Sequence, residues 1–564
     1  MQGEPFILDA DRGDAFDWQG LRDALDKGRS ITVRGYSFGD GRDNKRFLSS
    51  FAGATFNGRV RFERCMFTAH VDWSEATFNQ TLHLVGCEFP EGLCLMDVVV
   101  KARCSFRGST FSDKTRHWLN WRGLKTGRGL HLIAVNAHAP IDLYQAVVGG
   151  DLHLSGIHVD TVGLPDQEVV RRGRLSEIQT HHVAGEMPGI SLNLDGARVS
   201  GNVLLTPFSQ FKKNNETGVI EDCWTRLPYL KGSLNLKSHI GGTVGLSSAQ
   251  IGGGESGRSL CMERATVGGS IIITRGSALL GQADLRAKVT GQVTFDETTV
   301  RRGPGDVAVE MNAAKIGDSV SFRGGTTILG SLDLRAEIGG QVALEDTLVL
   351  HRRNTTAVLL AEASVGGSFI LCEGTHIFGG VDLRASIRGQ VRFNGVSIDA
   401  GAGATAINMD EARVDGPVLF KDGTYIVGGL DLRARIGGQL AFANTVVDPG
   451  KPGKAVTLEG ARLQGPLLLG EKTLIGGDLV LLHAKLLGGL QATHNYRRRT
   501  FDRPGTVESR YPAQRRCVIL GDVECTGAEC GASMLFHEVS LMGRFIGAHL
   551  SVAGNLHICG GVTG

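Results

Sequence analysis

Four groups of side chains have types and spacings that could do chemistry. Cys517, Cys525 and Cys530 with His537 offer the thiolates and imidazole of a zinc site. Paired Asp and Arg recur in the string Leu-Asp-Leu-Arg-Ala, read at Leu332–Ala336; Asp-Leu-Arg-Ala returns at Asp284, Asp333, Asp382 and Asp431, every 49 residues. His181 and His182 are adjacent. Arginines and lysines gather in a series of short segments and could meet a polyanion.

Spacing argues against the metal. Val523/Cys525, Ala528/Cys530 and Met534/Phe536 follow one inward-facing rhythm, which makes both cysteines core residues, and no CxxC or HExxH supplies the usual ligand spacing. Cys65 and Cys87 take the same small inward position as Ala54 and Ala76. The histidine pair sits in a segment with a helix expected over Pro165–Thr180 and reads as exposed loop. In Asp-Leu-Arg the charges straddle an inward Leu, so both point outward as surface ion pairs, stacked at two-turn intervals. No nucleotide loop, nucleophile elbow or triad spacing occurs. The expectation is a non-catalytic chain with no cofactor and no metal.

The elements behind these residues are short strands. Phe56, Phe67, Phe78, Phe89, Val100 and Phe111 fall every eleven residues, with pairs such as Val60/Phe62, Val71/Trp73 and Leu82/Leu84 between them. Pairs spaced by two are strands with one buried face; steps of three and four are corners, and a helix would need a 3–4 rhythm throughout. The 49-residue unit contains four such modules and a loop. Two modules make one four-sided turn of about 22 residues, with Gly-Gly pairs at the four-residue corners, where φ > 0 and a missing Cβ let the chain turn. The predicted fold is all-β, a four-sided right-handed parallel β-helix with a small α/β N-terminal cap. Within the cap, Asp14–Gly28 reads as an amphipathic helix and Ser30–Phe38 as extended.

Ala54-Thr-Phe, Cys65-Met-Phe and Ala76-Thr-Phe resemble pentapeptide-repeat and related right-handed β-helix proteins, whose four-sided turns carry a central large apolar residue and a small one two before it. The likeness implies the fold. Some members of that family imitate DNA with an acidic surface; here the net charge is +2. Asp and Arg ladders on β-helices occur in polysaccharide lyases, which gives the enzyme alternative, although four equal copies offer no privileged place for an active site.

Loops interrupt the modules at Gly163–Pro188, Gly252–Arg258, Arg301–Asp306, Leu350–Thr355, Asp399–Ala404, Asp448–Lys454 and Arg497–Arg516. Aligned on the modules, all seven rise from one corner and form a ridge. Its cations are Arg301, Arg302, Arg352, Arg353, Lys451, Lys454 and, in the last loop, Arg497, Arg498, Arg499, Arg503, Arg510, Arg515 and Arg516. A second insertion, 206–230, brings Lys212, Lys213 and Trp224, lysines beside an aromatic that could stack a base or pack back on the body. The function this predicts is a rigid scaffold that presents a partly basic ridge to a protein or nucleic acid.

The divisions expected are a cap over 1–45 and one solenoid over 46–564. The solenoid comprises Phe-rich modules over 46–120, irregular repeats over 121–258 with insertions 163–188 and 206–230, regular repeats over 259–496, a basic loop over 497–516 and last turns over 517–564. Met1–Ala10 lacks a basic and apolar leader, no 18-residue apolar run occurs, and the eleven cysteines show no paired framework. A cytoplasmic protein without membrane insertion is expected. The chain stops at Gly564 directly after Leu556/Ile558, so a truncated end or end-to-end pairing of copies into a homo-oligomer is expected there.

Overall fold

The computed structural model describes residues 4–39, 51–112, 118–160, 189–213, 220–254, 256–303, 305–493, 516–537 and 539–559. The chain forms two units, Met1–Gly291 with Thr298–Gly305, and Gln292–Glu297 with Asp306–Gly564. Each is a right-handed parallel β-solenoid with four short sides to the turn. No helix among the described residues is long and apolar enough to cross a membrane.

In the first unit one side stacks Phe6–Asp9, Ile31–Arg34, Val60–Glu63 and Leu82–Val85, in register Val33 to Phe62 to Leu84. Burial alternates along Val60–Glu63 and Leu82–Val85, the signature of a strand with one face in the core. The eleven-residue module has its reason in the stack: two modules close a turn, so every second phenylalanine meets its equivalent. Phe56 stacks on Phe78 at 4.6 Å and Phe67 on Phe89 at 4.6 Å, with ring planes nearly parallel. Trp73, Phe78 and Trp121 are fully buried among them.

The helix occupies Trp18–Asp26, inside the predicted 14–28. Asp17 caps it, its carboxylate accepting the Gly20 N–H at 2.8 Å, and Gly28 closes it at φ 65°. Its apolar face, Leu21 and Ala24, is buried.

The second unit shows the 49-residue repeat directly. One turn runs Thr356–Leu359, Ser364–Val365, Phe369–Leu371 and His376–Phe378; the next runs Gly380–Asp382, Ser386–Ile387, Val391–Asn394 and Ser397–Asp399. We call these sides one to four. Phe393, Phe420 and Phe442 form its aromatic stack, at 4.7 Å each step.

The Gly-Gly corners at 339–340, 366–367 and 437–438 depart from the expected backbone, whereas Gly324 and Gly325, between sides three and four, adopt it at φ 65° and 78°. Gly339, Gly366 and Gly437 are not at positive φ. They are glycine because a Cβ would strike the turn beneath: it would lie 2.2 Å from the Gly339 carbonyl oxygen at Gly366, and 2.2 Å from that of Asp415 at Gly437. Positive φ also recurs at the corner between sides one and two, where Ala313, Glu362 and Glu411 adopt 60°, 65° and 59°.

Candidate interaction surfaces

Asp-Leu-Arg-Ala is a corner. In each copy the Ala N–H donates to the carbonyl of the Leu two residues back, 2.7–2.8 Å in all four, a three-residue turn. The Asp carboxylate accepts the Arg N–H and the guanidinium folds back on it: Arg286 Nε and Nη2 lie 2.9 and 2.6 Å from Asp284, Arg384 Nε and Nη2 2.9 and 2.6 Å from Asp382. The charges face outward as parity requires, but they are not a solvated ladder: Asp284, Asp333 and Asp382 are only 0%, 4% and 8% exposed. Alternate turns make the same corner with one more residue, as in Met311–Ala314, where Ala314 N–H donates to the Met311 carbonyl at 2.9 Å. The most memorable string in the sequence is thus consumed in its own geometry.

The first unit has an equivalent polar row that sequence reasoning missed. Asp142, fully buried, accepts from Arg122 and, at 3.0 Å, from Asn193 Nδ2, while Asn235 Nδ2 donates to Asn193 Oδ1 at 2.9 Å. Leu192-Asn193-Leu194 and Leu234-Asn235-Leu236 carry the signal, Asn standing where later turns have Asp.

The ridge also changes. In the second unit, segments 350–355, 399–404 and 448–454 leave between sides four and one. Arg497–Arg516 does not: it is flanked by Leu490–Thr493 on side three and Val518–Ile519 on side four. The most basic loop therefore departs from a different corner. Arg497, Arg498, Arg499, Arg503, Arg510 and Arg515 lie outside the described residues; Arg516 is exposed. Arg352 pairs with Asp306 at 3.6 Å and Arg353 with Asp399 at 2.6 Å, so those loop cations have acidic partners. Lys451 and Lys454 are exposed, Lys454 in register with Asp478. Arg301 and Arg302, exposed, belong to the first unit. The segment 163–188, with His181 and His182, lies outside the described residues.

The 206–230 insertion is a hairpin, Phe208–Lys213 antiparallel to Ile220–Arg226. It is pinned to the body at its base. Arg226 Nη1 and Nη2 donate to the carbonyls of Ala134 and Val135 at 3.2 Å each, and the Arg107 guanidinium lies 5.3 Å from the Phe208 ring centroid. Lys212 stands opposite Glu221 and Trp224 opposite Gln210 along the backbone; Lys213 faces Ile220.

Cys517, Cys525 and Cys530 are buried, 3%, 0% and 3% exposed, in the core positions the rhythm assigns, and burial pushes the Cys525 thiol up to about 12. His537 is exposed. Among the described residues no group of three or more His, Cys, Asp or Glu is placed to hold a metal. In the terminal turn Leu556 and Ile558 take the inward register of Met534 and Phe536 and are 47% and 50% exposed.

A second feature without an obvious sequence signature lies on side two of the second unit. Arg413, Arg435, Arg462 and Lys485 face outward on consecutive turns in direct register, all exposed. Their signal is a small residue, a cation and an apolar residue: Ala412-Arg413-Val414, Ala434-Arg435-Ile436, Ala461-Arg462-Leu463 and Ala484-Lys485-Leu486.

The class that fold and surface define is the right-handed parallel β-solenoid. No protein-family model matches the chain, and no curated protein matches it.

Proposed function

We propose that this chain is a non-catalytic interaction scaffold, related at the level of fold to pentapeptide-repeat solenoids, that holds unequal loops and basic surface in register for a macromolecular partner. The observation that carries this reading is the fate of its most repeated polar motif. The Asp of Asp-Leu-Arg-Ala is covered and hydrogen-bonded within its own corner in three of four copies, so the motif supports the fold rather than offering a free carboxylate to a substrate. What varies between repeats is the loops: Leu350–Thr355 carries two arginines, Asp399–Ala404 no cation, Asp448–Lys454 two lysines. Insertions on a regular frame are where repeat proteins bind.

The test compares the full chain with a variant whose residues 497–516 are replaced by a Gly-Ser linker of equal length, using cross-linking and mass spectrometry on material captured from native extract. Partners held by the parent and lost by the variant fit the reading. Cleavage of uronate polymers by the purified protein would overturn the non-catalytic assignment.

A further inference from the structure

Like charges directly opposite on neighbouring strands destabilise a sheet. Side two of the second unit follows that rule at its two ends, where Lys315 meets Glu337 at 2.9 Å and Lys485 meets Glu529 at 3.0 Å. Between these pairs it breaks the rule. Arg413 sits on Arg435, Arg435 on Arg462 and Arg462 on Lys485. Asp415 lies 3.2 Å from Arg413 Nε and Glu529 takes Lys485, so the carboxylates stand at the ends of the run. The two central guanidiniums, Arg435 and Arg462, have no carboxylate within 4.0 Å among the described residues.

We propose that this row binds the phosphodiester backbone of double-stranded nucleic acid, with Arg435 and Arg462 as its centre. Four rungs at the inter-strand spacing of a sheet span about 14 Å. Successive phosphates of one duplex strand advance about 3.4 Å along the axis and also rotate about it, so they lie further apart than that rise, and long Arg and Lys side chains bridge the mismatch with rungs about 4.8 Å apart. Guanidiniums suit phosphate, which they can hold bidentately. The outward residues of this side carry no Phe, Tyr or Trp: Ser364 and Ser386 precede the row, and Asp415, Gly437, Gln464 and Leu487 stand two residues after its cations. A single strand would need stacking platforms, which are absent from this surface; a duplex needs only cations on a flat, open face. Recognition would be of backbone, without base reading.

This surface is separate from the loops, so the two readings can fail independently. The experiment measures anisotropy of a labelled 24-base-pair duplex against the full chain at 50 to 200 mM salt, with R413Q/R435Q/R462Q/K485Q as the test variant and K125Q/R198Q, exposed cations of the first unit, as the charge control. The parent is expected to bind with a steep salt dependence. The row variant should bind at least about tenfold more weakly at low salt and lose about 3 to 4 from the log–log salt slope, while the charge control stays within about twofold. Thermal unfolding guards against misfolding: removing stacked like charges should leave the midpoint unchanged or raise it. No duplex binding by the parent overturns the proposal, as does a row variant that binds like the parent. Tighter binding of heparin than of duplex, lost in the same variant, overturns the nucleic-acid assignment in favour of an acidic polysaccharide.

Discussion

Arg335 Nε lies 2.8 Å from Asp333 Oδ1, over a carboxylate that is 4% exposed. The two are separated by a single residue, and the Arg335 N–H donates to the same oxygen at 3.3 Å. The pair therefore links side-chain charge to backbone turning. Its double-mutant cycle, Asp333→Asn against Arg335→Gln in chemical denaturation, should show a coupling of about 1 to 2 kcal/mol, above the range of exposed ion pairs. Lys315 and Glu337, 68% and 65% exposed, should show no measurable coupling. Equal couplings in the two cycles would remove the claim that the corner pair is special.

Much of this architecture is legible in the amino-acid sequence. The two-residue spacing of Val60/Phe62 and Leu82/Leu84 dictates strands, and the eleven-residue period dictates that Phe56 meets Phe78. Parity places Asp333 outward, correctly; it cannot show that Arg335 folds over it, because exposure depends on the neighbour's rotamer. The corner of Arg497–Arg516 is illegible for a physical reason: two near-identical modules close one turn, so an insertion between modules does not reveal which of four corners it leaves. The Arg413–Lys485 row is hidden because unequal loops make its sequence intervals unequal, while the stacking remains strictly in register.

Gly366→Ala should be severely destabilising, since its Cβ would lie 2.2 Å from the Gly339 carbonyl oxygen, a backbone atom that cannot step aside. Gly460→Ala tests the other kind of glycine. It sits at φ 66° with nothing within 4 Å of its added Cβ, at the corner that Glu362 and Glu411 fill with side chains. Its cost should be about 1 kcal/mol, the left-handed penalty alone. Urea titrations of both variants decide the matter: a Gly366→Ala protein as stable as Gly460→Ala would contradict the steric account of the Gly-Gly corners.

Acid should weaken the first unit through His131. The ring packs 4.7 Å from His153 on the outer face of its side, and burial, His153 and Arg103 hold its pKa down to about 4. Unfolded, the imidazole titrates near 6.5. Between those values the unfolded chain binds the extra proton, so this contribution to stability is fully present above about pH 6.5 and is lost as pH falls towards 4. His131→Gln should flatten the decline of the unfolding midpoint over that window. An unchanged pH profile would show that the His131 environment does not control it.

Thiol reactivity separates the core cysteines from the outer face. Cys517 and Cys525 are buried, with thiols pushed up to about 12 by burial, so neither accessibility nor thiolate is available in the folded state. Cys372 follows the inward Leu371, is half-buried, and has its pKa raised by partial burial and by Glu345. Timed alkylation with peptide mapping should therefore label Cys372 first among these three, slowly at neutral pH and faster as pH rises. Cys517 and Cys525 should label only when denaturant opens their turns. Labelling of Cys525 at the rate of Cys372 in native buffer would place it outside the core, and would reopen the metal-ligand reading that its inward position now argues against.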